Sequence, residues 1–160
     1  LSCTRTGARR VASTEVLTRV ALKSDLPFVL EMIHGLAEHH GDGSTVTLEQ
    51  LEVEAHDWHH LLVATIDEKV VAYASLMPVG QLQFGVRGMD MHHLFVDKEH
   101  RGAGVGRALI NASLELSKQL SCKYMTVGTH PDNTAIAEVY LAAGFERLPN
   151  APRFQIGIDG

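Results

Sequence analysis

"DKEHRGAGVGRALI" (residues 97–110) sets three alternate glycines, Gly102, Gly104 and Gly106, between a charged turn and a run with helical spacing. Glycine-rich turns from strand to helix hold phosphates because backbone N–H groups converge there and the helix N-terminus adds positive potential. Spacing decides which phosphate. A dinucleotide fingerprint begun at Gly102 needs its third glycine at position 107, which is Arg107; one begun at Gly104 needs it at 109, which is Leu109. A P-loop needs Gly-Lys followed by Ser or Thr, and the stretch has none. What remains is Arg101-x-x-Gly104-x-Gly106 behind an apolar strand end, Leu94-Phe95-Val96.

Working outward, "MDMHHLFVD" (89–97) reads as the strand before the loop. Val105, Leu109, Ala112 and Leu116 mark the expected buried face of the helix after it. "KYMTVGTH" (123–130) then forms a strand, "PDN" a turn and cap, and "TAIAEVYLAA" a helix stopped by Gly144. "FERLP" and "RFQIGI" read as two last short strands. Upstream, "EVLTRVAL" (15–22) is a strand, with Ser24 suited to cap the helix that follows. In that helix Leu26, Val29, Leu30, Ile33, Leu36 and Ala37 recur at three and four, and Pro27 sits in the tolerant first turn. Thr47 caps a second short helix. "HLLVATID" (60–67) and "KVVAYASLMPV" (69–79) are joined too tightly at Glu68 for anything but an antiparallel hairpin, and "GQLQFGVRG" (80–88) reads as irregular. The order predicts an α/β fold with a mixed, mostly antiparallel sheet of about seven strands and helices on both faces. Strand, loop, helix and strand from 89 to 130 make one crossover.

The length, 160 residues, and a 45% hydrophobic composition suit one domain, expected over 14–160, behind a flexible tail at 1–13. No apolar run is long enough to span a bilayer, and no apolar stretch follows Arg9 and Arg10, so neither a membrane span nor a secretory signal is expected. Cys3 and Cys122 make no disulfide framework or metal spacing, which leaves a reducing cytoplasm as the expected location. A net charge of −5 argues against a nucleic-acid partner. Residues 24–68 contain no Lys or Arg while acidic side chains recur from Asp25 to Glu68, a field that attracts cations or simply faces water.

The Arg101-x-x-Gly104-x-Gly106 pattern resembles the pyrophosphate loop of the GNAT acetyltransferase superfamily. "NTAIAEVYLAAGF" (133–145) resembles its second motif, with Asn133, Tyr140 and Gly144-Phe145 in register. The resemblance implies that acetyl-CoA is the donor and no metal is required. It implies that backbone amides of Arg101, Gly102, Ala103, Gly104, Val105, Gly106 and Arg107 wrap the CoA pyrophosphate. The pantetheine arm would pair with the strand edge at Leu94, Phe95 and Val96, and Asn133 would touch the same cofactor. Tyr140 is the implied catalytic acid for the leaving thiolate. A homodimer is the family habit.

Acetyl transfer to a primary amine also needs a base, because such an amine is mostly protonated near neutral pH. Strict strand alternation puts Asp90, His92 and Leu94 on one face and Met91, His93 and Phe95 on the other. His92 is the candidate base, with Asp90 as an orienting or charge-stabilising neighbour, and His93 is read as a packed or surface histidine. His39-His40 and His59-His60 are read as non-ligands because adjacent side chains diverge. Trp58 suits either the acceptor pocket or the core. "TVTLEQLEVE", "HLLVATIDEKVVAYASLMP" and "LFVDKEHRGAGVG" look most like the diamine and polyamine branch. His92 stands where that branch tends to carry Glu, so an arylalkylamine, an aminoglycoside, an amino acid or a protein N-terminus stays open as acceptor. A protein acetyltransferase and a non-catalytic acyl-CoA sensor are the other readings.

Overall fold

The computed structural model describes residues 15–129, 132–149 and 153–158. The expected tail at 1–13 lies outside them. The chain divides into two compact units, one up to Gly128 and one from Thr129.

The first unit is built on five strands in the order β1 to β5: β1 (Leu17–Val20), β2 (His60–Ile66), β3 (Lys69–Gln81), β4 (Val86–Val96) and β5 (Tyr124–Val127). The first three pairings are antiparallel, and β4 pairs β5 in parallel, as the crossover through the glycine loop requires. Between β1 and β2 lie α1 (Leu26–His39) and α2 (Leu48–Asp57); α3 (Val105–Gln119) connects β4 to β5. The β2–β3 connection is the antiparallel hairpin expected, but its turn takes in Asp67 as well as Glu68, both at positive φ. The stretch read as irregular is the tip of a long hairpin, in which β3 runs to Gln81 and β4 starts again at Val86.

Leu61, Leu62, Val63, Ala64 and Thr65 are all buried, so both sheet faces are covered. On one face α1 and α2 place Leu26, Val29 and Leu51 against Leu61, Val63 and Tyr73. On the other, α3 buries Val105, Leu109 and Ile110. Its buried stripe continues through Ser113 and Ser117 rather than the expected Ala112 and Leu116, which are half-buried. Serine is tolerated there because it is small and because the Ser117 hydroxyl donates to the Ser113 carbonyl one turn back, at 2.7 Å.

In the second unit α4 (Thr134–Ala142) ends, as expected, at Gly144, whose φ is +99°. The two last strands do not form: 145–149 and 153–158 carry no strand among the described residues, so the sheet has five strands rather than seven. Phe154, Ile156 and Ile158 alternate as a strand would, yet all are exposed. Alternation supplies a face, but a strand also needs a neighbour for its backbone groups.

Candidate active site

The site grows from an irregularity in β4. Ser75 pairs with His93, but the next residue, Leu76, pairs with Met91, so His92 is an extra residue with no partner on β3. Such a bulge locally cancels alternation. Met77 opposite Asp90, Ser75 opposite His93 and Tyr73 opposite Phe95 therefore share one face, while Leu76–Met91 and Ala74–Leu94 share the other. This corrects the strict alternation expected from sequence. His92 and His93 do not diverge; their rings stack at 4.4 Å, tilted by 15°.

The pairing with β5 stops at the bulge. β5 follows β4 only from Gly88 to Met91, so the upper half of β4 has no β5 partner. The Asp97 amide points at β3, donating to the Val71 carbonyl at 2.8 Å. The backbone groups of Val96 and Leu94, one and three residues back, point the opposite way, into the open edge. One of them is engaged within the chain: Arg101 Nε donates to the Val96 carbonyl at 3.0 Å, with its guanidinium 5.6 Å above the Phe95 ring.

Beyond the open edge comes the glycine loop. Gly102 and Gly104 sit at φ +78° and +80°, conformations that side chains rarely adopt. Gly104 is the N-cap of α3 and offers no side-chain cap, and the first helical bond runs from the Ala108 amide to the Gly104 carbonyl at 3.0 Å. The amides of Val105, Gly106 and Arg107 thus precede the helical ladder. Ala103 is exposed and the Val105 side chain is fully buried, so at Val105 only the backbone is available to a ligand. Arg107 Nε reaches Asn111 Oδ1 at 3.4 Å. A cradle of glycines in the left-handed conformation, leading into an uncapped helix N-terminus, fits an anionic pyrophosphate.

On the α1 and α2 side of the bulge lies a cavity of about 200 Å³, lined by Ile33, Val46, Leu51 and Leu61 and by the polar group Glu54, Tyr73, Ser75, His59, His92 and His93. The Tyr73 hydroxyl and His93 Nδ1 are hydrogen-bonded at 3.0 Å. Burial, reinforced by His92 and His59, pushes His93 down to about 4, and burial raises the Tyr73 phenol well above its usual range. His93 is therefore neutral at pH 7. His59 Nδ1 is hydrogen-bonded to Ser75 Oγ at 2.7 Å, and its ring lies 5.9 Å from that of His92. His92 itself is exposed. Asp90 accepts the Thr126 hydroxyl at 2.5 Å from the neighbouring strand.

Tyr140 and Asn133 belong to the second unit. Tyr140 is buried, its ring meets Phe145 edge-on at 5.7 Å, and burial raises its phenol to about 12, so it keeps its proton at neutral pH. Asn133 is the N-cap of α4, its Oδ1 accepting the Ile136 amide at 3.3 Å. Trp58 is largely exposed and is not a core anchor. His59, Ser75 and Tyr73 were not singled out as site residues from the sequence. Only the pairing of β2, β3 and β4 gathers them, and neither histidine of "DWHH" gives a sign of it.

Among the described residues no group of three or more His, Cys, Asp or Glu side chains is arranged to hold a metal, and no helix is long and apolar enough to cross a membrane.

Comparison with known proteins agrees with this fold. An aminoglycoside acetyltransferase from an uncultured soil metagenomic sample, solved with sisomicin, superposes with a TM-score of 0.75 at 15% identity, over 90% of this chain and 97% of that one. A ribosomal-protein-alanine N-acetyltransferase from Brucella melitensis biovar Abortus gives 0.73 at 15% identity, over 89% and 99%. At these identities the likeness is one of fold. Among curated proteins, N-acetyltransferase 8 of Homo sapiens is 28% identical over 85 residues, 53% of this chain and 37% of that protein. Mycothiol acetyltransferase of Sanguibacter keddieii is 26% identical over 129 residues, 78% of this chain and 41% of that protein. This chain spans less than half the length of either relative. The profile of the Acetyltransferase (GNAT) family matches residues 30–145, most of the chain and every site residue described above; the chain belongs to the GNAT acetyltransferase family.

Proposed function

We propose that the protein is an N-acetyltransferase that passes an acetyl group from acetyl-CoA to the primary amine of a small, cationic, polyamine-like acceptor. The observation that carries this reading is the sequence of open β4 edge and uncapped, glycine-built N-terminus of α3. The edge offers the backbone groups of Leu94 and the amide of Val96 to an amide-bearing arm, and the loop offers amide donors to a pyrophosphate. Bound acetyl-CoA supplies a thioester whose carbonyl an amine attacks.

The chain's own residues would manage the protons. His92, exposed at the bulge and bordering the cavity, takes the proton of the amine, directly or through water. Asp90, on the same face of β4, contributes negative charge toward the imidazolium while Thr126 holds its carboxylate in place. Tyr140, protonated at neutral pH, returns a proton to the leaving thiolate, and Asn133 adds a contact to the cofactor. The stretch 24–68, without Lys or Arg, supports a cationic acceptor through its field. Within this reading residues 14–160 act as one domain, and the protein works as a homodimer in the reducing cytoplasm.

The test is thiol release from acetyl-CoA against a panel of polyamines, arylalkylamines, aminoglycosides and amino acids. Release with a polyamine is expected; no release with any amine sinks the enzymatic reading. Tyr140→Phe should lower kcat by about a hundredfold, the scale of a lost general acid, while acetyl-CoA affinity changes little. An unchanged kcat removes Tyr140 as the donor.

A further inference from the structure

We propose that His59 is a second acid–base residue of the acceptor site, taking on the proton that His92 removes from the amine and passing it toward Glu54. The inference rests on the acetyl-transfer reading and assigns a residue outside the motifs that carry it.

Three observations converge on His59. The first is its orientation. Its Nδ1 is tied to Ser75 Oγ at 2.7 Å. With Nδ1–H donating to the serine oxygen, Nε2 keeps its lone pair, and Nε2 faces Glu54 Oε2 at 4.0 Å. A neutral imidazole held by one nitrogen, with a carboxylate near the other, can gain a proton and have the resulting charge stabilised.

The second is its neighbours. His92 is 5.9 Å away ring to ring, a gap that one water molecule can span, and His93 stacks on His92. The groups that face His59 are Glu54 from α2, His92 and His93 from β4, Ser75 from β3 and the adjacent His60; Tyr73 and His40 face His93. Burial and then His92 favour the neutral form of His59, and Glu54 opposes them. Imidazoles this close do not all carry protons together. A proton arriving on His92 and another on His59 repel, so the pair turns over one proton per acetyl transfer.

The third is the route outward. His59 lines the inner cavity with His92 and His93, and it also lines a second cavity of about 670 Å³ bordered by Glu49, Glu52 and Asp57. Among the described residues it is the histidine shared by both. Glu54 lines the inner cavity beside His59 and is half-exposed, which gives a proton on His59 a way to water. The step balances: the amine N–H bond breaks, its proton goes to an His92 nitrogen, a proton passes from His92 to His59 Nε2, and it leaves through Glu54 to solvent.

Two measurements test this. NMR titration of the imidazole rings should show the pKa of His59 rising in His92→Ala, where a like charge is gone, and falling in Glu54→Gln. In steady-state kinetics His59→Gln, which keeps a partner for Ser75, should lower kcat about tenfold, displace the rising limb of the kcat–pH profile and leave the KM for acetyl-CoA unchanged. If His59 titrates identically in all three proteins, or His59→Gln turns over with the wild-type pH profile, the inference is overturned, and acetyl transfer by His92 stands. The NMR arm reads the coupling in the absence of any turnover, so an inactive protein sinks the acetyl-transfer reading without being confused with failure of the relay.

Discussion

At the start of α2, Thr47 Oγ1 accepts the Gln50 amide at 3.2 Å and Gln50 Oε1 accepts the Thr47 amide at 2.9 Å; at the start of α3, Gly104 has no side chain with which to do either. Every α-helix begins with amides that its own ladder leaves over. At α2 the capping box satisfies the amides of Thr47 and Gln50, and at α4 Asn133 satisfies that of Ile136. α3 instead follows two left-handed glycines, and a Cβ at Gly104 would meet none of the described atoms within 4 Å. The closed start is worth stability to the fold, and the open start is the one that the proposed function gives to a ligand. At α1 the N-cap Asp25 does a third thing: its carboxylate accepts both terminal nitrogens of Arg19, one at 3.0 Å, and the Leu22 amide, tying β1 to the helix entry.

Gly104→Val strikes this contrast hardest. It puts a branched residue at φ +80° and a side chain at the mouth of the helix. The acetyl-CoA dissociation constant should rise about a hundredfold, roughly 2.7 kcal/mol, by calorimetry; wild-type affinity would mean that the open end is not the cofactor cradle. Asp25→Asn comes next, with a loss of about 2 kcal/mol in stability at pH 7 and no effect on acetyl-CoA binding. The Arg19 hydrogen bond, helped by the Leu22 amide and opposed by burial, holds the Asp25 carboxyl below its usual range. Its contribution is therefore complete above the unfolded value near 4 and fades as pH falls through the lower folded one. Melts at pH 7 and pH 3 should show the gap between wild type and variant narrowing in acid; a gap that widens contradicts the assignment.

Smaller again is the effect of inorganic pyrophosphate. At ten times its dissociation constant it should stabilise the wild type by about 1.4 kcal/mol and leave Gly104→Val unmoved. A shift of equal size in both proteins places the anion elsewhere. Thr47→Ala, at the closed start, should cost about 1 kcal/mol, or a few degrees in Tm, with acetyl-CoA affinity intact. Should it weaken cofactor binding instead, the division between closed and open starts fails.

β4 shows how far the sequence could be read. The strand, the loop and the helix after it were legible, because alternation, glycine spacing and helical periodicity are properties of a few consecutive residues. The face of each histidine was not. His92 becomes an extra residue only because β3 pairs Ser75 with His93 and Leu76 with Met91, a register that nothing within 89–97 encodes. The C-terminal alternation of Phe154, Ile156 and Ile158 teaches the same from the other side, as a pattern suited to a strand that found no strand to pair with.

By itself the sequence determined the cap at Thr47, the hairpin around Glu68, the glycine turn and the family it signals, since caps, turns and loops answer to local backbone geometry. Only the tertiary structure decided that His59, His92 and His93 share a cavity, that Ser75 and Tyr73 hold two of them, and that β4 opens beyond Met91. Those outcomes depend on hydrogen-bond register and burial between segments far apart in the chain, where one residue of slip moves a side chain to the opposite face of the sheet.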